Sequence, residues 1–229
     1  MTLAFGKFIK MNSQLILKFP THHVYKNEDF YVSESNKQAY DFIISWPKWI
    51  KRIINVFGPH GSGKTHLASI LKSKTSCLKI DSSKLNNKTL FDFKTKEALI
   101  IENLNENISE ELLFSLWNLA LQDNKYLLIT SIKPLDSYQF KLKDLTSRTK
   151  ASLAIGINLP SDDLIGVIIA KNFSDKQIKV EKKHIDYIIK RIDRSYEKIS
   201  QFILTLDKYS LKKGSPLNLK MIKEVLKMV

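Results

Sequence analysis

The first two thirds of the chain alternate short apolar runs with segments of helical periodicity. The apolar runs are rich in β-branched residues and predict strands buried on both faces. They are IINVF (53–57), SCLKI (76–80), EALIIE (97–102), YLLIT (126–130) and SLAIGI (152–157). Helices are predicted over 64–74 and after Ser109, a suitable N-cap that is followed by two glutamates. This order predicts an α/β fold with a parallel five-stranded sheet covered by helices, which binds ligands at the carboxyl ends of its strands.

Beyond Pro160 the strand pattern stops and only helical spacing remains. Helices are predicted over 162–172, 181–191, 195–209 and 219–227. We therefore expect a nucleotide-binding domain over 21–160 and a small helical lid domain over 161–229. Residues 1–20 have few helix-period signals and are predicted to form a flexible arm.

Composition narrows the class of protein. Hydrophobic residues make up 43% of the chain and charged residues 26%, which is typical of a soluble globular protein. No apolar stretch is long enough to span a membrane, and the N-terminus lacks a signal-peptide pattern. The single cysteine, Cys77, excludes an internal disulfide and fits a cytoplasmic protein.

The net charge of +14 is compatible with nucleic acid, an acidic protein or an anionic membrane as partner. Recognition of phosphates and bases usually relies on arginine, yet almost all the cations here are lysines spread along the chain. The four arginines are Arg52, Arg148, Arg191 and Arg194. The charge therefore leaves weak contact with nucleic acid open, and each arginine is a candidate functional residue.

The segment GPHGSGKT (58–65) fits the phosphate-loop pattern G-x-x-x-x-G-K-[ST] at every position. It follows a predicted strand and opens a predicted helix, where backbone N–H groups can converge on phosphate oxygens. We expect it to bind ADP or ATP, with Lys64 at the terminal phosphates and Thr65 at Mg²⁺. The predicted cofactor-binding residues of this segment are Gly58, Pro59, Gly61, Ser62, Gly63, Lys64, Thr65 and His66.

The strand ALIIENLN ends in Glu102 and Asn103, where a P-loop ATPase normally carries two acidic residues. Glu102 is predicted to hold Mg²⁺, partly through water. Asn103 cannot act as a general base, so we expect the chain alone to be a poor ATPase.

The runs GKTHLA, LLITS and DLTSR, with FYVSESNKQAYDFI before the phosphate loop, resemble the initiator clade of AAA+ proteins, DnaA and its relatives. The resemblance covers 14–227 and is closest to the Hda-type regulatory inactivators of DnaA, particularly those of alphaproteobacteria. It implies an AAA+ domain with a helical lid, bound ADP or ATP, and a role in replication initiation. DnaA and the polymerase sliding clamp are the implied partners, and homo-oligomerisation stays open.

Within this resemblance, QLILKF (14–19) is similar to the peptides by which replication proteins dock on the clamp. A glutamine amide would set the register while apolar side chains fill pockets. The partner-binding residues would be Gln14, Leu15, Leu17 and Phe19. The same alternation also fits an edge strand, and Met11 is an alternative start that would leave the motif close to the terminus.

Three further residues receive roles from the resemblance. Arg148 matches an arginine finger, which projects into a neighbouring subunit's nucleotide site, although an arginine there could also cap a helix end. Arg194 matches the sensor arginine of the lid, with Arg191 as the alternative. Thr130 lies at the first sensor position, but Ile132 and Lys133 stand where the clade commonly has Asp-Arg, which again argues against efficient hydrolysis.

The favoured function is a clamp-tethered regulator that presents Arg148 to DnaA-bound ATP. Because the sequence ends at Val229 without a helix-turn-helix pattern, we do not expect the initiator itself. A helicase loader shares the GKTHL run, but the arm is short for grasping a helicase. A third alternative is a small-molecule kinase, which would use Arg191 and Arg194 as lid arginines and Asp81 to bind the substrate that receives the phosphate.

Overall fold

The computed structural model describes residues 30–175, 178, 180–213 and 217–229. The predicted clamp-binding residues Gln14, Leu15, Leu17 and Phe19 lie outside this part of the chain. Within the described ranges, no helix is both long enough and apolar enough to cross a membrane.

Five parallel strands form one sheet in the order β2-β3-β4-β1-β5. They are β1 (Ile53–Phe57), β2 (Cys77–Asp81), β3 (Ala98–Leu104), β4 (Tyr126–Ser131) and β5 (Leu153–Gly156). Each lies on a predicted apolar run, and the predicted α/β fold is confirmed. Because β1 pairs with β4 on one side and with β5 on the other, it is an interior strand of the sheet and not an edge strand.

Helices cover both faces of this sheet. They are α1 (Lys37–Ile44), α2 (Lys64–Lys74), α3 (Asn87–Lys94), α4 (Glu110–Gln122) and α5 (Lys143–Ala151). The predicted bounds of α2 agree with the structure, and the Ser109 hydroxyl accepts a hydrogen bond from the N–H of Leu112 at 3.3 Å, as an N-cap does. The pattern did not predict α1, α3 or α5, since α3 and α5 each bury only two side chains.

The alternation of side chains along β3 divides the core into two layers. Leu99 and Ile101 pack on one face with α4, in a cluster that includes Leu113 and Leu116. Ile100 points to the opposite face, among residues of β1, α1 and α2. A strand buried on both faces is why the sequence there reads as a continuous apolar run.

The C-terminal part is helical, as the sequence predicts. Its helices are α6 (Asp162–Asp175), α7 (Lys182–Ile189), α8 (Tyr196–Lys213) and α9 (Leu219–Leu226). They share a separate apolar cluster around Phe173, Ile188, Phe202 and Ile222, all fully buried. The division of the chain at 160/161 stays a prediction.

A buried amide fixes the turn that follows β4. Asn55, fully buried in β1, donates from Nδ2 to the carbonyl oxygen of Ile129 at 3.1 Å and to the Ser131 hydroxyl at 2.8 Å. Its Oδ1 accepts from the N–H of Leu135 at 3.1 Å. Both N–H groups and the oxygen of the amide are thus engaged at the end of β4, as a buried polar group requires.

We predict that Asn55→Leu destabilises the fold. The substitution keeps roughly the same shape but leaves the N–H of Leu135 buried without an acceptor, which costs about 1–3 kcal/mol for the orphaned group. Chemical denaturation measures the change in unfolding free energy. Gln122→Leu removes an exposed amide at the end of α4 and should change it by less than about 0.5 kcal/mol. Equal stabilities of the two variants would contradict the prediction.

Candidate nucleotide-binding site

The phosphate loop joins β1 to α2 and depends on two left-handed glycines. Gly61 has φ of 75° and Gly63, the N-cap of α2, has φ of 92°. A Cβ on Gly61 would lie 3.1 Å from Cβ of Tyr196, and one on Gly63 would lie 3.0 Å from Cε2 of Phe30. The loop therefore needs glycine at both positions for conformation and for space. This geometry directs successive N–H groups at one point above the start of α2.

Lys64 lies folded back beneath the loop. Its ammonium donates to the carbonyl oxygens of Gly58 and Pro59, both at 2.7 Å, and the residue is only 8% exposed. Burial lowers the pKa of Lys64 to about 8. A charge held in this position, at the helix start, is placed to meet the terminal phosphates of a nucleotide.

The predicted metal residues are Thr65, the second residue of α2, and Glu102, in β3. Oε2 of Glu102 lies 3.0 Å from Nζ of Lys79, whereas Oε1 is buried and has no hydrogen-bond partner among the described residues. A buried carboxylate oxygen without a partner fits a role as acceptor for a water on Mg²⁺. The residues thus fit the metal through one oxygen of Glu102, while the other is taken by lysine.

Asn103 and Thr130 together fix the end of β3. Asn103 has φ of 55°, and its N–H donates to the Thr130 hydroxyl at 3.1 Å. Its side-chain amide donates to Oδ2 of Asp81 at 2.7 Å. Hydrogen bonds from Ser83 and then from Asn103 lower the pKa of Asp81. The hydroxyl predicted as a phosphate sensor therefore serves the backbone of the neighbouring strand.

A pocket of about 160 Å³ separates the phosphate loop from the C-terminal helices. Four of the predicted residues, Gly61, Ser62, Gly63 and His66, line it. Opposite them lie Phe30, which belongs to the entry segment of the resemblance, and Lys171 and Tyr196, to which the sequence analysis assigned no role.

The side chains that line this pocket come from distant parts of the chain, which is why the sequence did not reveal it. The ring of Phe30 stacks on that of Tyr40 at 5.5 Å between centroids and lies nearly perpendicular to the ring of His66 at 5.1 Å between centroids. The Tyr196 hydroxyl donates to the carbonyl oxygen of Asn158 at 3.2 Å. Phe30 belongs to the entry segment of the resemblance, whereas Lys171 and Tyr196 carry no local signal, because only packing of the C-terminal helices brings them here.

The two candidate sensor arginines do not line this pocket. Nη2 of Arg194 lies 2.9 Å from Oδ1 of Asp162, in a pair whose side chains are both more than half exposed. The Arg191 guanidinium lies 3.8 Å from the ring centroid of Tyr187. An exposed pair of this kind is weak, so phosphate could compete for Arg194 more readily than for the stacked Arg191.

Arg148 lies at the other end of the sheet. It lines an apolar pocket of about 250 Å³ with Ile53, the first residue of β1, and with Trp117 and Leu121 of α4. Its guanidinium lies 4.8 Å from the ring centroid of Phe114 and, among the described residues, makes no ion pair. At about 3.3 Å per residue, the length of β1 alone puts about 15 Å between Arg148 and the phosphate loop.

Known proteins similar to this chain are replication initiators. The chromosomal replication initiator DnaA of Borrelia turicatae is 26% identical over 224 residues, which cover 80% of this chain and 45% of that protein. DnaA of Lactiplantibacillus plantarum is 23% identical over 231 residues, covering 89% of this chain and 50% of the relative. The chain thus spans about half the length of the curated relatives it matches. No family model matches it.

Solved structures share the fold. Domain III of Thermotoga maritima DnaA has a TM-score of 0.75 at 19% identity and covers 91% of this chain and 98% of its own. AMPPCP-bound DnaA from Aquifex aeolicus has a TM-score of 0.67 at 20% identity and covers 87% of this chain. A RuvB mutant from T. maritima also reaches 0.67, at 14% identity. The chain is therefore similar in sequence to DnaA proteins over most of its length and has the fold of DnaA domain III.

We predict that ADP affinity falls as pH rises through about 8. Phosphates would raise the depressed pKa of Lys64, so binding above pH 8 must take up a proton. Affinity should drop about tenfold between pH 7 and pH 9, by the protonated fraction of a group with that pKa. The free energy of unfolding of the protein without nucleotide should instead rise from pH 8 upward. The reason is that folded Lys64 loses its proton near pH 8, whereas in the unfolded chain it keeps the proton up to its ordinary pKa.

Calorimetric titration with ADP at a series of pH values measures the effect. Lys64→Ala is the control variant and should bind ADP more than about tenfold more weakly at pH 7, with little dependence on pH. A wild-type affinity that is flat from pH 7 to pH 9 would contradict this assignment of Lys64.

Proposed function

We propose that this chain is a nucleotide-binding regulator of replication initiation of the Hda type. It would dock on the sliding clamp through 14–19 and promote hydrolysis of ATP bound to DnaA through Arg148. The observation that carries the proposal is the position of Arg148, which lies at the sheet end away from its own phosphate loop and makes no ion pair within the described part of the chain.

An arginine so placed cannot serve its own nucleotide. The separation of about 15 Å along β1 exceeds the reach of its side chain, so any phosphate it contacts must belong to another molecule. Its contact with the Phe114 ring is not an N–H···O hydrogen bond, so it leaves the guanidinium N–H groups available for phosphate oxygens. A finger of this kind stabilises charge that develops on the γ-phosphate of the partner.

The chain's own site supports binding of nucleotide better than its turnover. Asn103 is not a base, and its amide is engaged with Asp81. The Thr130 hydroxyl accepts from the backbone of Asn103. Mg²⁺ on Thr65 and Glu102 would neutralise phosphate charge. Lys64 and the N–H groups of the loop would hold the phosphates, and the pocket beside Phe30 and Tyr196 would hold the base, so bound nucleotide acts as a structural signal.

Similarity to known proteins supports the class of function. The curated relatives are replication initiators, and one solved DnaA of the same fold is bound to AMPPCP and single-stranded DNA. With a net charge of +14, this chain would make weak contact with the DNA on which the clamp is loaded. Such contact adds affinity without sequence specificity.

The kinase alternative loses support from the contacts of its candidate residues. Asp81 accepts hydrogen bonds from Ser83 and Asn103, so its carboxylate is already engaged where a kinase would use it to bind the substrate that receives the phosphate. Nη1 of Arg191 donates to the carbonyl oxygen of Tyr187 at 3.3 Å, so one of the two lid arginines already uses a guanidinium N–H at the end of α7. No contact of the described residues favours the helicase-loader alternative over a regulator.

We predict that Arg148→Ala abolishes clamp-dependent hydrolysis of ATP by DnaA. Loss of a trans-acting guanidinium should lower the stimulated rate by about 10³–10⁵. Clamp binding and ADP binding by the variant should be unchanged. Arg148→Lys should rescue poorly, because a point charge lacks the planar fork. Release of labelled γ-phosphate from DnaA in the presence of clamp and DNA measures the rate.

Arg191→Ala is the matched control, since it removes the same charge from an arginine that stacks on Tyr187. It should leave stimulation of DnaA close to wild type. Stimulation that survives Arg148→Ala refutes the finger, whereas equal loss in both variants points to a general effect of charge.

We also predict that clamp docking resides in the arm. Replacing Gln14, Leu15 and Leu17 together with alanine removes the amide that sets the register and two apolar anchors, so co-elution with the clamp should be lost. A variant with alanine at Lys10, Asn12 and Ser13 changes the same arm outside the motif and should still co-elute. Melting temperature reports whether the fold is intact, and co-elution of the motif variant would exclude the arm as the docking site.

A further inference from the structure

The ion pair between Lys79 and Glu102 is unusual in this structure for its burial. The side chains are 17% and 12% exposed, with Nζ and Oε2 3.0 Å apart. By contrast, the pair between Lys133 and Glu106, which also follows the carboxyl ends of the strands, has side chains 43% and 70% exposed. Breaking a buried pair leaves an uncompensated charge, whereas an exposed pair contributes little.

Lys79 also connects Glu102 to the helix that follows the phosphate loop. Its ammonium donates to the Ser69 hydroxyl at 3.1 Å, and that hydroxyl donates to the carbonyl oxygen of Thr65 at 2.8 Å. The ammonium is thereby fixed between the two residues predicted to hold Mg²⁺. A lysine on β2 reaches this position because it lies on the same face of the sheet as Glu102.

We propose that Lys79 is a resident counter-ion of Glu102, so that this chain binds adenine nucleotide with little dependence on Mg²⁺. The inference rests on the proposed nucleotide binding and specifies its metal requirement. A divalent cation gains affinity from an uncompensated carboxylate, and here one oxygen already faces a monovalent cation that would repel the metal. Only Oε1 of Glu102 remains without a hydrogen-bond partner among the described residues.

The consequence is a site in which Lys79 provides the positive charge that a metal would otherwise bring to Glu102. Nucleotide would be held by Lys64 and by the N–H groups of the loop. The metal would add charge neutralisation at the phosphates but little through Glu102. Such a site keeps nucleotide when free Mg²⁺ changes.

The test compares ADP affinity in excess Mg²⁺ with affinity in EDTA, by calorimetric titration of the full chain. The ratio should be less than about threefold for the wild type and should exceed about tenfold for Lys79→Met, in which Glu102 is uncompensated. The double variant Lys79→Met with Glu102→Gln should return to a low ratio, because no free carboxylate remains. Lys133→Met, which removes the same charge from the exposed pair, should keep the wild-type ratio.

Lys79→Gln provides a second route if the methionine variant does not fold, since its amide can still contact Ser69 and Glu102 without the charge. A wild-type ratio above about tenfold, or a ratio unchanged in the folded Lys79 variant, overturns the inference. Absence of ADP binding in both buffers refutes nucleotide binding itself. Binding with strong Mg²⁺ dependence refutes the role of Lys79 alone.

Discussion

The position of β1 between β4 and β5 is the constraint on which the rest of the structure depends. Paired on both sides, the strand cannot shift register without disrupting two neighbours, and its buried Asn55 ties it to the turn after β4. The phosphate loop begins directly at its end. A loop that must aim several N–H groups at one point needs such a rigid base, because a small displacement would spread them.

The two ends of this strand separate two kinds of chemistry. At the carboxyl end lie the loop, Lys64 and the carboxylate of Glu102, which are suited to binding nucleotide. At the amino end lies Arg148, beside Ile53. A parallel sheet keeps these ends apart by the length of its strands. An arginine at the amino end therefore serves a second molecule or none.

The carboxyl end of β3 carries side-chain contacts that differ from those expected of a hydrolytic phosphate-loop site. Asn103 turns to Asp81, Thr130 supports the backbone of Asn103, and Lys79 faces Glu102. The contacts of Asn103 and Glu102 occupy polar groups that a hydrolytic site would leave directed at phosphate or water, whereas the Thr130 hydroxyl keeps its own hydrogen for donation. This network is one reason for our proposal that the chain binds nucleotide without hydrolysing it efficiently.

The sequence by itself determined the strands, the phosphate loop and the helical C-terminal part. Strands buried on both faces need continuous apolar runs, and the loop needs left-handed glycines at 61 and 63, so both leave local patterns. It missed α3 and α5, which bury too few side chains to show a period. Only the tertiary structure shows that Lys79 pairs with Glu102 and that Tyr196 packs against Gly61. It also shows that Arg194 pairs with Asp162 and that Arg148 lies at the amino end of β1. These relations join residues that are distant along the chain, and no local pattern encodes which side chains packing brings together.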